Sequence, residues 1–194
     1  MSIDAFLELL NDSGNPAIKG ECLDREFSDG ALQLVDFELQ AQGELDAAYA
    51  HKLDLERDDK EEKARQDKAK LSLFTFTITK EIDAATPFLF QAFCERWSAK
   101  PKDKQQGKFA KARVSVRKAG GTPFTYLQYE FTDVHIYSWE LSNKDGDDLP
   151  EETVEFCATG YNMLYFPQST SGRQARTRPF EAGWTFREDR KQGG

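Results

Sequence analysis

Four charged residues share one face of a predicted β-hairpin that spans Phe109–Tyr137. Gly120 and Gly121 suit the positive backbone angles of a tight two-residue turn, which sets the cross-strand register. In that register the apolar residues of both strands fall on the opposite face, and a slip of one residue would undo this sorting. The chemistry expected of the charged face is ion pairing on a hydrated surface. The predicted pairs are Lys111 with Glu130, Arg113 with Gln128, and Arg117 with Phe124.

No catalytic or metal-binding pattern accompanies this face, and the sequence predicts neither an enzyme nor a cofactor. The two histidines, His51 and His135, lack the spacing of a zinc site. No nucleophile elbow, P-loop or dinucleotide-binding motif occurs. Asp145 opens a faintly calcium-like loop, but its twelfth position is Phe156 instead of glutamate.

A second charged feature is the segment 43–70, in which acidic and basic residues interleave. Several of them are spaced as favourable i,i+4 pairs, so the segment could be a solvated helix or an extended loop. It could equally be an arm that contacts a neighbouring copy, because runs of mixed sign can pair with one another. The candidate contact residues are Glu56, Arg57, Asp59, Lys60, Glu61, Lys63 and Arg65.

The overall charge limits the classes of partner. The 194 residues carry a formal net charge of −8, which argues against nucleic acid and against anionic membranes. The N-terminus has acids within its apolar run and no basic region, unlike a secretory signal peptide. These features predict folding in the cytoplasm, with any export by a route that needs no signal peptide. Three widely spaced cysteines are expected to be buried thiols.

Short alternating segments predict a mainly β fold, a sandwich or barrel, as one domain over residues 1–190 with a flexible tail at 188–194. The expected strands besides the hairpin are Ile3–Leu10, Leu32–Gln40, Leu71–Lys80, Thr153–Phe166 and Phe180–Arg187.

One helix interrupts the strands. Thr86 is the expected N-cap and Pro87 the first helical residue. The apolar residues that follow recur at helical spacing and predict a helix that flanks or plugs the core. An aromatic ligand site is the alternative. The stripe comprises Leu89, Phe90, Phe93, Cys94 and Trp97.

Several segments keep one order along the chain from about Ile3 to Arg187. They are Ile18–Cys22, Thr77–Asp83, Thr86–Leu89, Arg113–Gly121 with Tyr126–Leu127 and Asp133–Val134, and Gly183–Trp184. In combination they resemble the haemolysin-coregulated protein family, Hcp, which forms the inner tube of bacterial type VI secretion systems. The charged segment 43–70 departs from the glycine- and histidine-rich loop usual in the family.

The resemblance implies a two-sheet β-barrel with one flanking helix. In this chain the charged segment 43–70 is expected to form a long loop that follows the second or third strand. It also implies hexameric rings that stack into a tube, a contractile sheath that expels the tube, a VgrG-like spike, and small effectors carried in the lumen. The charged hairpin face would then line the lumen or a seam between subunits. Lys111, Arg113, Arg117 and Glu130 are the residues expected there.

Two other functions fit the same pattern. One is a tail-tube protein of a phage-like or extracellular contractile machine. The other is a soluble barrel that binds a small apolar ligand against Phe90, Phe93 and Trp97; it would be a monomer with ligand-dependent stability.

Overall fold

The computed structural model describes residues 3–40, 74–98, 106–118, 123–143, 149–168 and 178–185. These residues are mainly β, with one described helix, as the alternating pattern predicts. The strands are β1 (Ile3–Leu10), β2 (Pro16–Ile18), β3 (Leu32–Leu34), β4 (Asp36–Gln40), β5 (Phe74–Glu81), β6 (Lys108–Lys118), β7 (Phe124–Ser142), β8 (Glu151–Ala158), β9 (Gly160–Tyr165) and β10 (Phe180–Thr185), and the helix is α1 (Thr86–Arg96).

All described strands belong to one antiparallel sheet, whose main path runs β2-β1-β6-β7-β8-β5-β4. β3 pairs with β1, and the hairpin of β9 and β10 extends from β7. The main path is open among the described residues, so closure into a two-sheet barrel is not established by the pairing alone. The segment predicted as one strand over Thr153–Phe166 is two strands, because Thr159 separates β8 from β9.

The long strand β7 changes partner near Asp133, which has a positive φ of 54°. Residues before this point pair with β9, and residues after it pair with β8. The Asp133 carboxylate receives a hydrogen bond from Thr159 Oγ1 at 3.1 Å and pairs with Lys108 Nζ at 2.8 Å. The Lys108 ammonium also holds the pKa of Asp133 below its ordinary value. These contacts hold the strained residue where two ladders meet.

The hairpin of β6 and β7 exists, but its predicted register is wrong by two residues. Arg113 lies opposite Glu130, and Lys111 lies opposite Thr132. Arg117 pairs with Thr125, beyond an irregularity between Val116 and Arg117. From Lys108 to Val116 the shift is even and keeps the side chains on their predicted faces. Beyond the irregularity the shift is one residue, which sets Arg117 opposite Thr125, a residue predicted on the apolar face. The predicted turn at Gly120-Gly121 lies outside the described residues.

The apolar face of this hairpin enters the main core, as predicted. Ala112, Val114 and Val116 are buried there from β6. Phe76 of β5 stacks between Phe131 and Phe156, with ring centroids 4.2 and 4.8 Å apart. Stacked rings at this spacing bury large apolar areas, so these two stacked contacts join β5, β7 and β8.

The helix begins as predicted within one residue, but its N-cap is Ala85 and not Thr86. The Thr86 hydroxyl is committed elsewhere, because it donates to Glu152 Oε1 at 2.7 Å. The buried residues of α1 are Leu89 and Ala92, whereas Phe90, Cys94 and Trp97 are exposed. The predicted stripe therefore lies about one residue out of phase with the buried face. Trp97 nevertheless fixes the helix end, since its Nε1 donates to Ile136 O at 3.0 Å.

Two of the three cysteines, Cys22 and Cys157, are buried, while Cys94 is exposed, contrary to expectation. No helix among the described residues is long and apolar enough to cross a membrane. The charged segment 43–70 and the tail 188–194 lie outside the described residues.

Candidate functional site

The polar face of the β1–β6–β7 sheet brings three of the four predicted hairpin residues together. Arg113 binds Glu130 through Nε and Nη2, at 3.0 and 2.9 Å, and reaches Glu8 of β1 at 3.4 Å. Lys111 Nζ is 3.9 Å from Glu130 Oε2. The side chains of Lys111, Arg113 and Glu130 are 49%, 32% and 24% exposed. The face is therefore a hydrated array of balanced charges, with Arg113 in the place that the sequence assigned to Lys111.

Beside this array lies an open depression of about 590 Å³. Ser115 and Gln128 lie next to Arg113 on its lining, and the amide of Gln128 donates to the Ser115 hydroxyl at 3.3 Å. Phe27 and Phe124 also line it. Such an open, mixed surface suits contact with another chain better than enclosure of a small ligand.

Arg117, the fourth predicted residue, is buried beneath the segment 24–27 and stands apart from the array. Its guanidinium makes a bidentate pair with Asp24, at 2.8 Å from Nη1 and 2.5 Å from Nη2. Asp4 lies 3.3 Å away on β1. The cation also sits 5.0 Å from the ring centroid of Phe6, which stacks on Phe27 at 4.1 Å. This arrangement fastens the 24–27 segment onto the sheet.

The electrostatics of this cluster follow from the bidentate pair. The hydrogen bonds from Arg117 hold the pKa of Asp24 below its ordinary value, against the opposing effect of burial. Asp24 in turn raises the pKa of Arg117. The Nε atom of Arg117 is buried without a hydrogen-bond partner, so the guanidinium is held by its terminal nitrogens alone.

A second buried network was not predicted from the sequence. Lys80 of β5 and Glu152 of β8 are 1% and 0% exposed and lie 2.8 Å apart. Glu152 also accepts hydrogen bonds from Thr86 Oγ1 at 2.7 Å and from Trp139 Nε1 at 2.8 Å. The Lys80 ammonium also donates hydrogen bonds to Asp83 Oδ1, 2.8 Å away, and to a backbone carbonyl. This ion pair and its hydrogen bonds therefore join β5, β7, β8 and the start of α1.

Separate segments that carry the family resemblance meet at this network. Asp83 accepts hydrogen bonds from the backbone N–H groups of Ala85 at 2.8 Å and of Glu21 at 3.3 Å. The Glu21 carboxylate receives the N–H of Ala84 at 3.2 Å. Gly20 is packed so closely that an added Cβ would lie 2.9 Å from Asp83 Oδ2. Residues that lie far apart in the chain are thus brought together in one tertiary contact.

The structure gives no support to the predicted alternative of an aromatic ligand site. Phe90 and Trp97 are 46% and 53% exposed. Phe90 packs on Trp139 with a centroid separation of 4.8 Å. His135 is partly buried near Trp97, and burial, aided by neighbouring cations, holds its pKa below the ordinary value. Among the described residues no cluster of histidine, cysteine and carboxylate side chains could hold a metal ion.

The candidate contact arm lies entirely outside the described residues. Its members are Glu56, Arg57, Asp59, Lys60, Glu61, Lys63 and Arg65. Their role stays a prediction.

Comparison with known proteins gives a consistent result. The model of a family described as type VI secretion system effector, Hcp, matches residues 6–165. A search of curated proteins finds no match.

Solved structures of similar fold include a type six secretion system protein, with 19% identity and a TM-score of 0.68 over 95% of this chain and 96% of the other. Hcp1 from Salmonella typhimurium is 22% identical, with a TM-score of 0.61 over 95% and 96%. A type VI secretion system effector from Yersinia pestis is 19% identical, with a TM-score of 0.61 over 93% and 98%. The family model thus matches residues 6–165, and these folds cover 93–95% of this chain.

Proposed function

Because this chain belongs to the Hcp family and is a type VI secretion tube protein, we propose that it forms hexameric rings that stack into the expelled inner tube. The observation that carries the proposal is the match of the family model across residues 6–165. The Lys80–Glu152 network supports it, because residues of separate family segments meet there in one contact. The protein acts as a structural component and not as an enzyme.

The rings are built from two-sheet barrels. Support comes from the segment 32–40, which pairs through β3 with β1 and through β4 with β5. Only Val35 separates these two strands, and its N–H donates to Thr79 O at 2.8 Å. A continuous segment that pairs with β1 near one end of the main path and with β5 near the other would close the sheet into a barrel.

The polar face of the β1–β6–β7 sheet lines the lumen of the ring. Lys111, Arg113 and Glu130 supply a wall of paired charges that stays wet and presents little net charge to cargo. Arg117 is left out of the wall, because it is buried against Asp24. Small effectors ride in this lumen, and the ring serves them as carrier and chaperone.

A VgrG-like spike tips the tube and a contractile sheath surrounds it. Contraction drives export, which would require no signal peptide. The charged segment with Glu56, Asp59 and Glu61 makes contacts between protomers or rings. Reversing these three charges to lysine is expected to abolish ring stacking at low salt while single rings persist. Unchanged stacking would remove the arm from the proposal.

Negative-stain microscopy with mass measurement on the purified protein tests ring formation directly. Uniform rings with six times the 22.1 kDa protomer mass are expected. A monomer at every concentration would contradict the proposal and favour the small-ligand barrel. The variant Lys111→Glu separates lumen from seam, because Lys111 is half exposed. Intact rings are expected from a lumen residue, whereas loss of rings would place this face at a seam.

A further inference from the structure

Residues 19–31 form a closed loop on one edge of β1. β2, which precedes the loop, and β3, which follows it, both pair with the edge of β1 that faces away from β6. Pairing on that edge stops at Leu9 with β2 and resumes at Leu7 with β3. The two ends of the loop also meet, because the N–H of Gly20 donates to Gly30 O at 3.0 Å. A compact surface loop with touching ends is an Ω-loop, and its movement would break no strand pairing.

The body of this Ω-loop, residues 22–30, is fastened to the sheet by one side chain. Among the described residues, all hydrogen bonds and ion pairs from the body to the strands go to Arg117 of β6. Asp24 makes the bidentate pair, and a Glu26 carboxylate oxygen lies 3.6 Å from the same guanidinium. The backbone hydrogen bonds of the described loop stay within it. The neck is anchored separately, through Glu21, to the segment that precedes α1.

Beneath the Ω-loop lies a small apolar cluster that is separate from the main core. Phe6 of β1 is 1% exposed there, Cys22 of the loop is 9% exposed, and Phe27 stacks on Phe6. Successive residues of a strand face opposite sides of the sheet. Ala5 and Leu7 therefore enter the main core, whereas Phe6 lies on the polar face. The loop thus covers an aromatic ring on an otherwise polar surface.

We propose that the Ω-loop is a lid that opens as a unit, with Arg117 as its latch. A small satellite cluster and one charged fastening hold the lid, whereas the strands beneath it belong to the main core. The lid should therefore open at a lower free energy than the domain unfolds. This inference concerns the protomer and does not depend on ring assembly.

Opening changes the polar face of the β1–β6–β7 sheet. It uncovers the ring of Phe6 together with the guanidinium of Arg117, which lies 5.0 Å from the centroid of that ring. Phe6 pairs across the sheet with Ser115, which lines the open depression beside Arg113. Glu26 and Phe27 of the lid line the same depression. An open lid therefore extends the depression to the uncovered ring.

One substitution separates the latch from the shape of the loop. Asp24 Oδ1 accepts the N–H of Glu26 at 2.9 Å, which forms a local turn, and both carboxylate oxygens pair with Arg117. Asparagine keeps a side-chain oxygen for the turn but loses the charge. Asp24→Asn should therefore weaken the latch and preserve the turn. Asp29→Asn is the matched control, because it removes the same charge from an exposed residue of the same loop.

The buried thiol of Cys22 reports opening of the lid. Timed alkylation of the native protein with iodoacetamide, followed by digestion and mass spectrometry, measures its labelling rate. Labelling is followed in increasing urea below the unfolding transition, and unfolding is followed by circular dichroism at the same protein concentration. Because the urea slope grows with the surface exposed, Cys22 labelling in the wild type should depend on urea much less steeply than domain unfolding does.

The variants test the latch itself. Cys22 should be labelled about ten- to a hundredfold faster in Asp24→Asn than in Asp29→Asn, which is the range expected when hydrogen bonds between charged groups are lost. The shallow urea slope should persist in both variants.

Three results would overturn the inference. Equal Cys22 labelling in the two variants would show that Arg117 is no latch. A Cys22 slope as steep as that of domain unfolding would show that the loop opens only when the domain unfolds. Labelling of Cys22 as fast as that of exposed Cys94 would show that nothing covers it. The wild-type slope decides the question even if Asp24→Asn does not fold.

Discussion

Replacing Lys80 with methionine should destabilise the protomer severely, because it leaves a buried carboxylate without its cation. Lys80 and Glu152 are 1% and 0% exposed and their charged atoms are 2.8 Å apart. Removing one partner of such a pair typically costs about 3–5 kcal/mol. The loss is large beside the roughly 5–15 kcal/mol that stabilises a typical domain.

The assay is urea unfolding at one fixed protein concentration, because ring assembly adds stability by mass action. With a slope of roughly 2 kcal/mol per molar urea, the Lys80→Met midpoint should fall by about 1.5–2.5 M. The control is Lys111→Met, in which a half-exposed lysine 3.9 Å from Glu130 is replaced by the same residue. Exposed ion pairs contribute about 0–1 kcal/mol, so the control should stay close to wild type.

The double variant Lys80→Met with Glu152→Gln completes the cycle. Glutamine keeps an acceptor oxygen for Thr86 or Trp139, the two donors to Glu152 that remain when Lys80 is replaced. The double variant should therefore lose less unfolding free energy than the sum of the losses in Lys80→Met and Glu152→Gln. The difference, which is the coupling energy, should be about 0.5–3 kcal/mol. A Lys80→Met protein within about 0.5 kcal/mol of wild type would refute the reasoning, since surface substitutions cost no more than that.

Three further predictions concern other contacts. Gly20→Ala should cost about 1–3 kcal/mol in thermal unfolding, because its Cβ would lie 2.9 Å from Asp83 Oδ2 and 2.8 Å from a backbone carbonyl; an unchanged melting temperature would contradict this. The lowered pKa of Asp24 means that its arginine pair stabilises the fold above the ordinary aspartate pKa and that this contribution is lost as pH falls through the folded-state pKa. The stability difference between wild type and Asp24→Asn should accordingly be greatest near neutral pH and vanish in acid. Native alkylation followed by mass spectrometry should modify exposed Cys94 first. Burial raises the pKa of Cys157 to about 11, which leaves about one thiolate in a thousand at pH 8, and early labelling of Cys157 would contradict that placement.

The sequence predicted the strands, the helix and the two faces of the hairpin, because period-two and period-3.6 patterns report directly which side of an element is apolar. It misplaced the register by two residues. Face sorting is identical for any even shift, so alternation of side chains could not distinguish Arg113 from Lys111 as the partner of Glu130. The choice depends on the geometry of the turn and on an irregularity beside Arg117 that no local pattern signals.

The buried networks were missed for a related reason. Glu152 lies 72 residues from Lys80 in a strand rich in acids, and nothing local marks it as buried. Arg117 was assigned to the hydrated face because its phase on β6 matches that of Arg113. Burial of Arg117 depends on Asp24, 93 residues away, and on the two phenylalanines that flank the cation. Pairings at such separations are tertiary facts, which explains why charge patterning identified a polar face but assigned Arg117 to the wrong kind of surface.

The even shift of register also bears on how this hairpin could evolve. A change of two residues in the connection between β6 and β7 returns each side chain to its own face, whereas a change of one would send the core valines to water and the ion pairs inward. We therefore expect an even insertion or deletion at this connection to be tolerated, whereas an odd one would need an irregularity such as that between Val116 and Arg117 to absorb the extra residue.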